Sequence, residues 1–248
     1  MDFLFLGSGT STGVPQIGCK CKTCLSTDSK DERLRASVLM TEGETKILID
    51  CGPDLRQQLL RNNIESLTAI LLTHEHYDHV GGLDDVRPLG ETELYGEKRV
   101  LAVIRRNMPY CFMDVKYPGI PLIQLHEITE TDFFIGGLKV QPIRVMHAKL
   151  PILGFRVGNA AYLTDIKTLE DRSIEKLQGL DILVMSALRI SKHISHLSLE
   201  EALEIAQKIG AQKTYFTHMS HDMGLHKEIN KQLPPNIQLA YDGLKLSI

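Results

Sequence analysis

No stretch of this 248-residue chain approaches the ~20 apolar residues that a membrane-spanning helix needs. Basic excess is missing too. Lys and Arg number 28 against 31 Asp and Glu, for a net charge of -3, so the general electrostatic footprint of a nucleic-acid binder is absent. No proline-, glycine- or serine-rich linker and no low-complexity run interrupts the sequence, and one domain over residues 1–248 is expected. The opening Met1-Asp2-Phe3-Leu4-Phe5-Leu6-Gly7 is apolar but short and has no basic flank, so it reads as a first strand and not as a leader. Cysteine is scarce and odd in number, at five. That disfavours a disulfide framework and points to a reducing, cytoplasmic setting. What remains, 43% hydrophobic and 24% charged, is the composition of an ordinary globular protein.

The densest chemistry lies in Thr73-His74-Glu75-His76-Tyr77-Asp78-His79, followed by Val80-Gly81-Gly82. It directly follows Ala69-Ile70-Leu71-Leu72, an apolar run that reads as a buried strand. Imidazole suits zinc, manganese and iron, and a carboxylate is a harder ligand that can share such a site. In extended chain His74, His76 and Asp78 point to one side, because side chains alternate with period two. His79 directly follows Asp78 and needs a turn to join them, and the Gly81-Gly82 pair supplies permissive backbone nearby. One metal is then expected on His74 and His76, and a second on Asp78 and His79. The alternative, a polar loop after a strand, requires this crowding of ligand-type residues to be accidental.

This segment resembles the signature His-x-His-x-Asp-His of the metallo-β-lactamase superfamily. The other motifs of that family match in order. Ile47-Leu48-Ile49-Asp50-Cys51-Gly52 is a strand ending in an acid, and the resemblance makes Asp50 a carboxylate that orients metal ligands. Val140 to Met146 delivers His147. Ala161-Tyr162-Leu163-Thr164-Asp165 ends on an acid that bridges both metals in the family. Thr214-Tyr215-Phe216-Thr217 ends at His218. The resemblance implies a four-layer αββα sandwich. It places His74, His76, His147 and Asp165 around one metal, and Asp78, His79, Asp165 and His218 around the other.

Near the N-terminus, Cys19-Lys20-Cys21-Lys22-Thr23-Cys24 forms a C-x-C-x-x-C cluster. Three thiolates need one more ligand to close a tetrahedral zinc site, and spacing alone does not separate His221 from His226. Gly7-Ser8-Gly9-Thr10-Ser11-Thr12-Gly13-Val14-Pro15 with this cluster resembles the PhnP-type phosphodiesterase branch. That branch carries a structural zinc on three such cysteines and a histidine three residues past the last catalytic-site histidine. The resemblance therefore implies Cys19, Cys21, Cys24 and His221. Cys51 and Cys111 read as buried thiols.

Elsewhere, helices are expected over Pro53–Asn62, Glu97–Asn107 and Leu169–Leu177, and strands at Leu122–Leu125 and Ile182–Met185. A hairpin is expected around Gly158-Asn159. Ser198 with Glu201 is a capping box opening a helix that Gly210 ends. The C-terminal Gln238–Ser247 reads as a hairpin around Asp242-Gly243.

By the same resemblance, His196 protonates the leaving oxygen, and a histidine titrating near neutrality suits that role. His193 reads as a surface or supporting residue. Lys149 and Arg189 are candidate phosphate-binding residues, lysine acting as a point charge, with a solvated loop lysine as the alternative. The implied activity is hydrolysis of a small phosphodiester, such as a cyclic ribosyl phosphate, by a hydroxide that two divalent metals (manganese or zinc) activate. Asp78 also accepts the nucleophile's proton. No membrane or nucleic-acid partner is expected, and a homodimer is left open. Three other readings remain: a tRNA 3′-processing nuclease, for which no Gly/Pro-rich basic arm is seen; a lactone or thioester hydrolase; and an accessory protein like that of pyrroloquinoline-quinone biosynthesis.

Overall fold

Alternation of apolar residues along short strands builds two sheets that share one core. The computed structural model describes residues 1–114 and 118–247. The first sheet holds β1 (Asp2–Gly7), β2 (Ser37–Glu42), β3 (Thr45–Ile49), β4 (Ala69–Leu71), β5 (Glu91–Gly96) and β6 (Leu122–Glu127). The second holds β7 (Phe133–Ile135), β8 (Leu138–His147), β9 (Leu150–Val157), β10 (Ala160–Leu163), β11 (Ile182–Ser186), β12 (Lys213–Thr217) and β13 (Ile237–Leu239). The last strand, β14 (Lys245–Ser247), returns to the first sheet beside β1. The helices are α1 (Leu55–Arg61), α2 (Tyr77–Val80), α3 (Lys98–Asn107), α4 (Asp171–Lys176), α5 (Leu199–Ile209) and α6 (His226–Asn230).

The period-two rule divides each strand between two layers of core. Phe3, Phe5, Ile47, Ile49, Ala69 and Leu71 face Phe155, Val157, Tyr162, Ile182 and Val184 between the sheets. Their neighbours Leu48 and Ile70 turn outward onto Leu55, Leu59, Val100, Leu101 and Ile104 of α1 and α3. On the far side Leu183, Met185 and Phe216 pack on Leu177, Ala202, Ala206 and Ile209. Helix layers thus flank two face-to-face sheets, the four-layer αββα sandwich.

Strands β3 to β6 run parallel, as do β10 to β13. Parallel strands present their carboxyl ends together, which is where open α/β sheets bind ligands. The segments after β3, β4, β10 and β12, with the end of β8, carry the candidate residues to that edge.

Most expected elements form close to their expected bounds. The capping box is present, with Ser198 Oγ accepting from the Glu201 N–H and the Glu201 carboxylate from the Ser198 N–H, and Gly210 takes the left-handed C-cap at φ 69°. The C-terminal hairpin is a correction. Ile237–Leu239 pairs parallel with β12, and Lys245–Ser247 pairs antiparallel with β1. The Asp242-Gly243 turn is a crossover between the sheets. The half-buried Asp242 carboxylate accepts from Ser8 N at 2.9 Å, Ser8 Oγ at 2.8 Å and Leu34 N at 2.8 Å, and Gly243 N donates to Phe5 O at 2.8 Å. These long-range bonds hold the turn against β1, and extending both sheets replaces a local two-strand pairing.

Candidate metal centres and active site

After β4 the chain bends at Thr73, is extended at His76 and then enters the single helical turn of α2, which carries Asp78 and His79. That turn is what brings adjacent residues to one cluster. Gly81 and Gly82 are not used for unusual dihedrals, since Gly81 is right-handed helical at φ -68° and Gly82 has φ -97°. They are needed for close approach: a Cβ on Gly82 would lie 2.1 Å from Gly52 O.

Three further candidates sit in left-handed backbone at strand ends: Asp50 at φ 63°, Asp165 at φ 51° and His218 at φ 57°. For non-glycine residues each such position costs roughly 1–3 kcal/mol, and these outliers gather at functional sites. Ala148, next to His147, has φ 52° in the tight turn between β8 and β9.

Asp165 lies at the centre of the cluster. Its Oδ2 is 3.1 Å from His79 Nε2 and 3.4 Å from His218 Nε2, and its Oδ1 is 3.5 Å from His196 Nδ1. Ligand atoms of His74, His79 and Asp165 lie within 4.8 Å of one another, as do those of Asp78, His79 and His218, and those of His147, Asp165 and His196. His76 Nδ1 meets His74 Nε2 at 2.9 Å, and its ring is 5.3 Å from that of His147.

Three of these imidazoles, those of His74, His79 and His147, have one nitrogen tied outward, while His218 Nδ1 is buried without a partner. His79 Nδ1 donates to Asp50 Oδ2 at 2.6 Å. His147 Nδ1 donates to Ser195 O at 2.9 Å. His74 Nδ1 donates to Thr73 Oγ1 at 2.9 Å, and that hydroxyl donates onward to Asp50 at 2.8 Å. Thr73 N also donates to Asp50 Oδ1 at 2.9 Å. Thr73 thus links His74 to Asp50, a contact invisible in the sequence because a threonine before a histidine has no signature of its own.

The donor set fits divalent ions. His79 Nε2 is buried beside two carboxylates without a hydrogen bond, as is His196 Nδ1 beside one. A buried polar atom left unsatisfied calls for a ligand. Asp50, Asp78 and Asp165 all crowd His79, and buried charge of one sign requires a counter-charge. Burial alone would lower the His79 pKa, but those carboxylates hold it well above the usual value. Burial and then His79 keep His74 well below its usual value, the neutral form that a metal requires. Cations suit the inward lone pairs and the carboxylates together.

The second cluster lies apart along the chain. Cys19 Sγ and Cys21 Sγ approach His221 Nδ1 at 3.4 and 3.3 Å, and with Cys24 Sγ these atoms fall within 4.8 Å of one another. Cys19, Cys21 and Cys24 form no disulfide with one another. The Cys24 N–H, then the His221 ring, hold the Cys21 thiol down to about 6. His226 is elsewhere engaged, its Nε2 donating to Leu239 O at 3.1 Å. Cys51 and Cys111 are buried.

The remaining candidates divide. His196 stacks on His218 with centroids 5.2 Å apart and lies 4.6 Å from the His147 ring. His193 Nδ1 meets Ser195 N and Oγ at 3.3 and 3.2 Å and so props the His196 loop. Lys149 is exposed in the turn that follows His147 and has no hydrogen bond or ion pair among the described residues. Arg189 donates to Ser191 O at 3.2 Å and Lys192 O at 2.8 Å, so its described contacts brace its own loop.

A helix-flanked pair of sheets with a histidine-aspartate cluster at the strand ends defines a metal-dependent hydrolase of the β-lactamase superfamily. The model of the beta-lactamase superfamily domain matches residues 45–219, and the chain belongs to that family. A crystal structure of a diphosphatase from the PhnP family is 43% identical with a TM-score of 0.94, covering 100% of this chain and 97% of that one. An octanoyltransferase of Porphyromonas gingivalis is 46% identical over 100% of this chain and 52% of its own length. The chain spans about half the length of the curated relatives it matches, a PQQ synthesis protein B among them at 50%. Zinc-bound PqqB from Methylobacterium extorquens has the same fold at 21% identity, with a TM-score of 0.83 over 100% of both chains. No described helix is long and apolar enough to cross a membrane.

Proposed function

We propose that this protein hydrolyses a small phosphodiester, a cyclic ribosyl phosphate being one fitting shape, at the Asp165-centred cluster. The observation that carries the reading is the clustering of histidines and carboxylates from five separate segments around Asp165, with the outward nitrogens of His74, His79 and His147 fixed by protein groups. His74, His76, His147 and Asp165 would hold one divalent ion, and Asp78, His79, Asp165 and His218 the other. Zinc or manganese bound there would supply Lewis acidity, activating water and offsetting charge on phosphoryl oxygens.

The chain's own residues do the rest. Asp78, held below the usual carboxylate range by His79 and His218 against the opposing effect of burial, remains ionised and can take the proton of the attacking water. His196 is packed between His147 and His218; burial and then His218 push it down to about 3, below the near-neutral value expected of a general acid, so it would protonate the departing oxygen only where the negative charge of a bound phosphoryl group draws a proton onto it. Lys149 offers a free cation for a phosphate oxygen. Arg189 contributes by holding the loop that carries His193 and His196. Cys19, Cys21, Cys24 and His221 would hold one structural zinc.

Two things favour phosphorus over a carbonyl centre: Lys149, two residues after His147 and without an ion pair among the described residues, and the likeness to the diphosphatase at 43% identity. The test is hydrolysis by metal-reconstituted protein of bis(p-nitrophenyl) phosphate, cyclic nucleotides, a diphosphate diester, a lactone and a tRNA precursor. Turnover of the small phosphodiesters is expected. Activity on the lactone alone, on the diphosphate diester alone or on the tRNA precursor alone would replace this reading.

A further inference from the structure

His76 is the most exposed histidine of the cluster. His74, His79 and His147 each have a protein group fixing the outward nitrogen, through Thr73, Asp50 and the Ser195 carbonyl. His76 has none among the described residues; its described polar contact is with His74. His76 itself is extended, and the contacts of the residue before it show what sets its position. His74 and His76 meet each other in the cluster, while the residue between them is paired elsewhere. That residue is Glu75. One of its carboxylate oxygens is ion-paired with the Arg99 guanidinium, and the other is buried without a partner.

Arg99 lies in the first turn of α3, and its second amino group donates to Pro151 O at 2.8 Å. Pro151 belongs to β9 and pairs with Met146, the residue before His147. One planar fork therefore spans the His74–His76 segment and the hairpin that delivers His147. Two neighbouring contacts reinforce the span. Leu153 N donates to Thr73 O at 3.1 Å. Glu97, two residues before Arg99, accepts from Arg144 of β8 at 2.7 and 3.1 Å. Arginine suits this task because its rigid fork serves two acceptors at once, which a lysine cannot reproduce.

We propose that Arg99, through Glu75, is a positioning residue for His76 and sets the affinity of the ion site shared by His74, His76 and His147. The inference rests on the two-ion reading of the cluster. Arg99 touches no reacting group. Its removal leaves the Glu75 carboxylate unpaired and frees the segment to rotate His76 off its line.

The test is stepwise Co(II) uptake by metal-depleted protein in competition with a chelator, for wild type, Arg99→Ala and Arg99→Lys. Zinc retained by the cysteine cluster and the melting temperature of the metal-free proteins are recorded in parallel. Arg99→Ala is expected to weaken one active-site ion by about 10–100-fold, the usual consequence of losing a group behind a ligand. The other ion, the cysteine-bound zinc and the melting temperature should stay as in wild type, and Arg99→Lys should recover part of the loss. Equal affinity in wild type and Arg99→Ala would overturn the inference alone. So would a joint fall in both ions, zinc and melting temperature, which marks a general structural role. If wild type takes up no Co(II) at the histidine cluster, the two-ion reading falls and this inference with it.

Discussion

The guanidinium of Arg33, wholly buried, donates from Nη1 to the carbonyl of Ser220 at 2.9 Å. Ser220 stands between His218 of the Asp165 cluster and His221 of the cysteine cluster. From Nη2 the same side chain donates to Gly224 O at 2.8 Å and pairs with Asp31 Oδ1 at 3.4 Å. Asp31 in turn accepts from Ser26 Oγ and from the His226 N–H. One buried cation thus braces the short stretch of chain that serves both clusters. The proposed zinc site and the catalytic edge are one mechanical unit.

Arg33→Met should therefore cost about 3–5 kcal/mol of unfolding free energy, as breaking a buried ion pair does when one partner is left behind. Denaturant melts of the two proteins measure it. A loss below about 1 kcal/mol would mean that the carbonyls of Ser220 and Gly224 find other donors and that Arg33 is not the brace.

Cys21→Ser should remove about one equivalent of zinc by elemental analysis and lower the melting temperature, because a closed tetrahedral site loses its binding energy when one thiolate goes. Zinc content equal to wild type would refute the Cys19, Cys21, Cys24 and His221 site.

His196→Ala should keep the active-site ions and slow substrates with poor leaving groups by about 10²–10⁴-fold, the range for lost general acid catalysis. A p-nitrophenolate leaving group needs little protonation and should lose less. Equal losses on both would remove His196 as the acid. Lys149→Ala should instead raise KM for substrates that carry a second phosphate more than for those that do not, since it deletes a point charge. An unchanged KM for both kinds would leave Lys149 a solvated turn residue.

Asp242 predicts a pH dependence of stability. Burial pushes its carboxyl up to about 6, while the N–H groups of Leu34 and Ser8 and the Ser8 hydroxyl pull the other way. A raised folded-state pKa means that the native protein binds the proton more tightly than the unfolded chain does. This contribution is present in full below the unfolded value of about 3.9 and is lost as pH rises through about 6. Asp242→Asn does not titrate, so the stability difference between wild type and variant should shift between pH 4 and pH 6 and then level off. A constant difference across that window would contradict the shift.

The legible and illegible parts of this fold differ in a physical way. The His74–His79 cluster can be read directly, because its ligands are neighbours and one helical turn suffices to gather them. His147, Asp165 and His218 stand at strand ends where pattern alone allows ordinary polar residues, and only the family resemblance singles them out. Left-handed backbone at Asp50, Asp165 and His218 is invisible beforehand, since no glycine marks it. Arg33 and Ser220 are 187 residues apart, and Arg99 and Glu75 are 24 apart, so neither pair leaves a local spacing to find. The final turn reads as a hairpin because Asp-Gly favours a tight reversal whether the next strand pairs back or crosses over. Only the bonds of Asp242 to Ser8 and Leu34 distinguish the two.

Anomalous diffraction from crystals of protein reconstituted with manganese or zinc tests the central claim most directly. Two active-site peaks are expected within about 4 Å of each other, spanned by the Asp165 carboxylate, one near His74, His76 and His147 and the other near Asp78, His79 and His218. A third, at the zinc edge, is expected among Cys19, Cys21, Cys24 and His221. A single active-site peak that leaves Asp78 and His218 without a metal, or no peak beside Asp165 at all, would contradict the account.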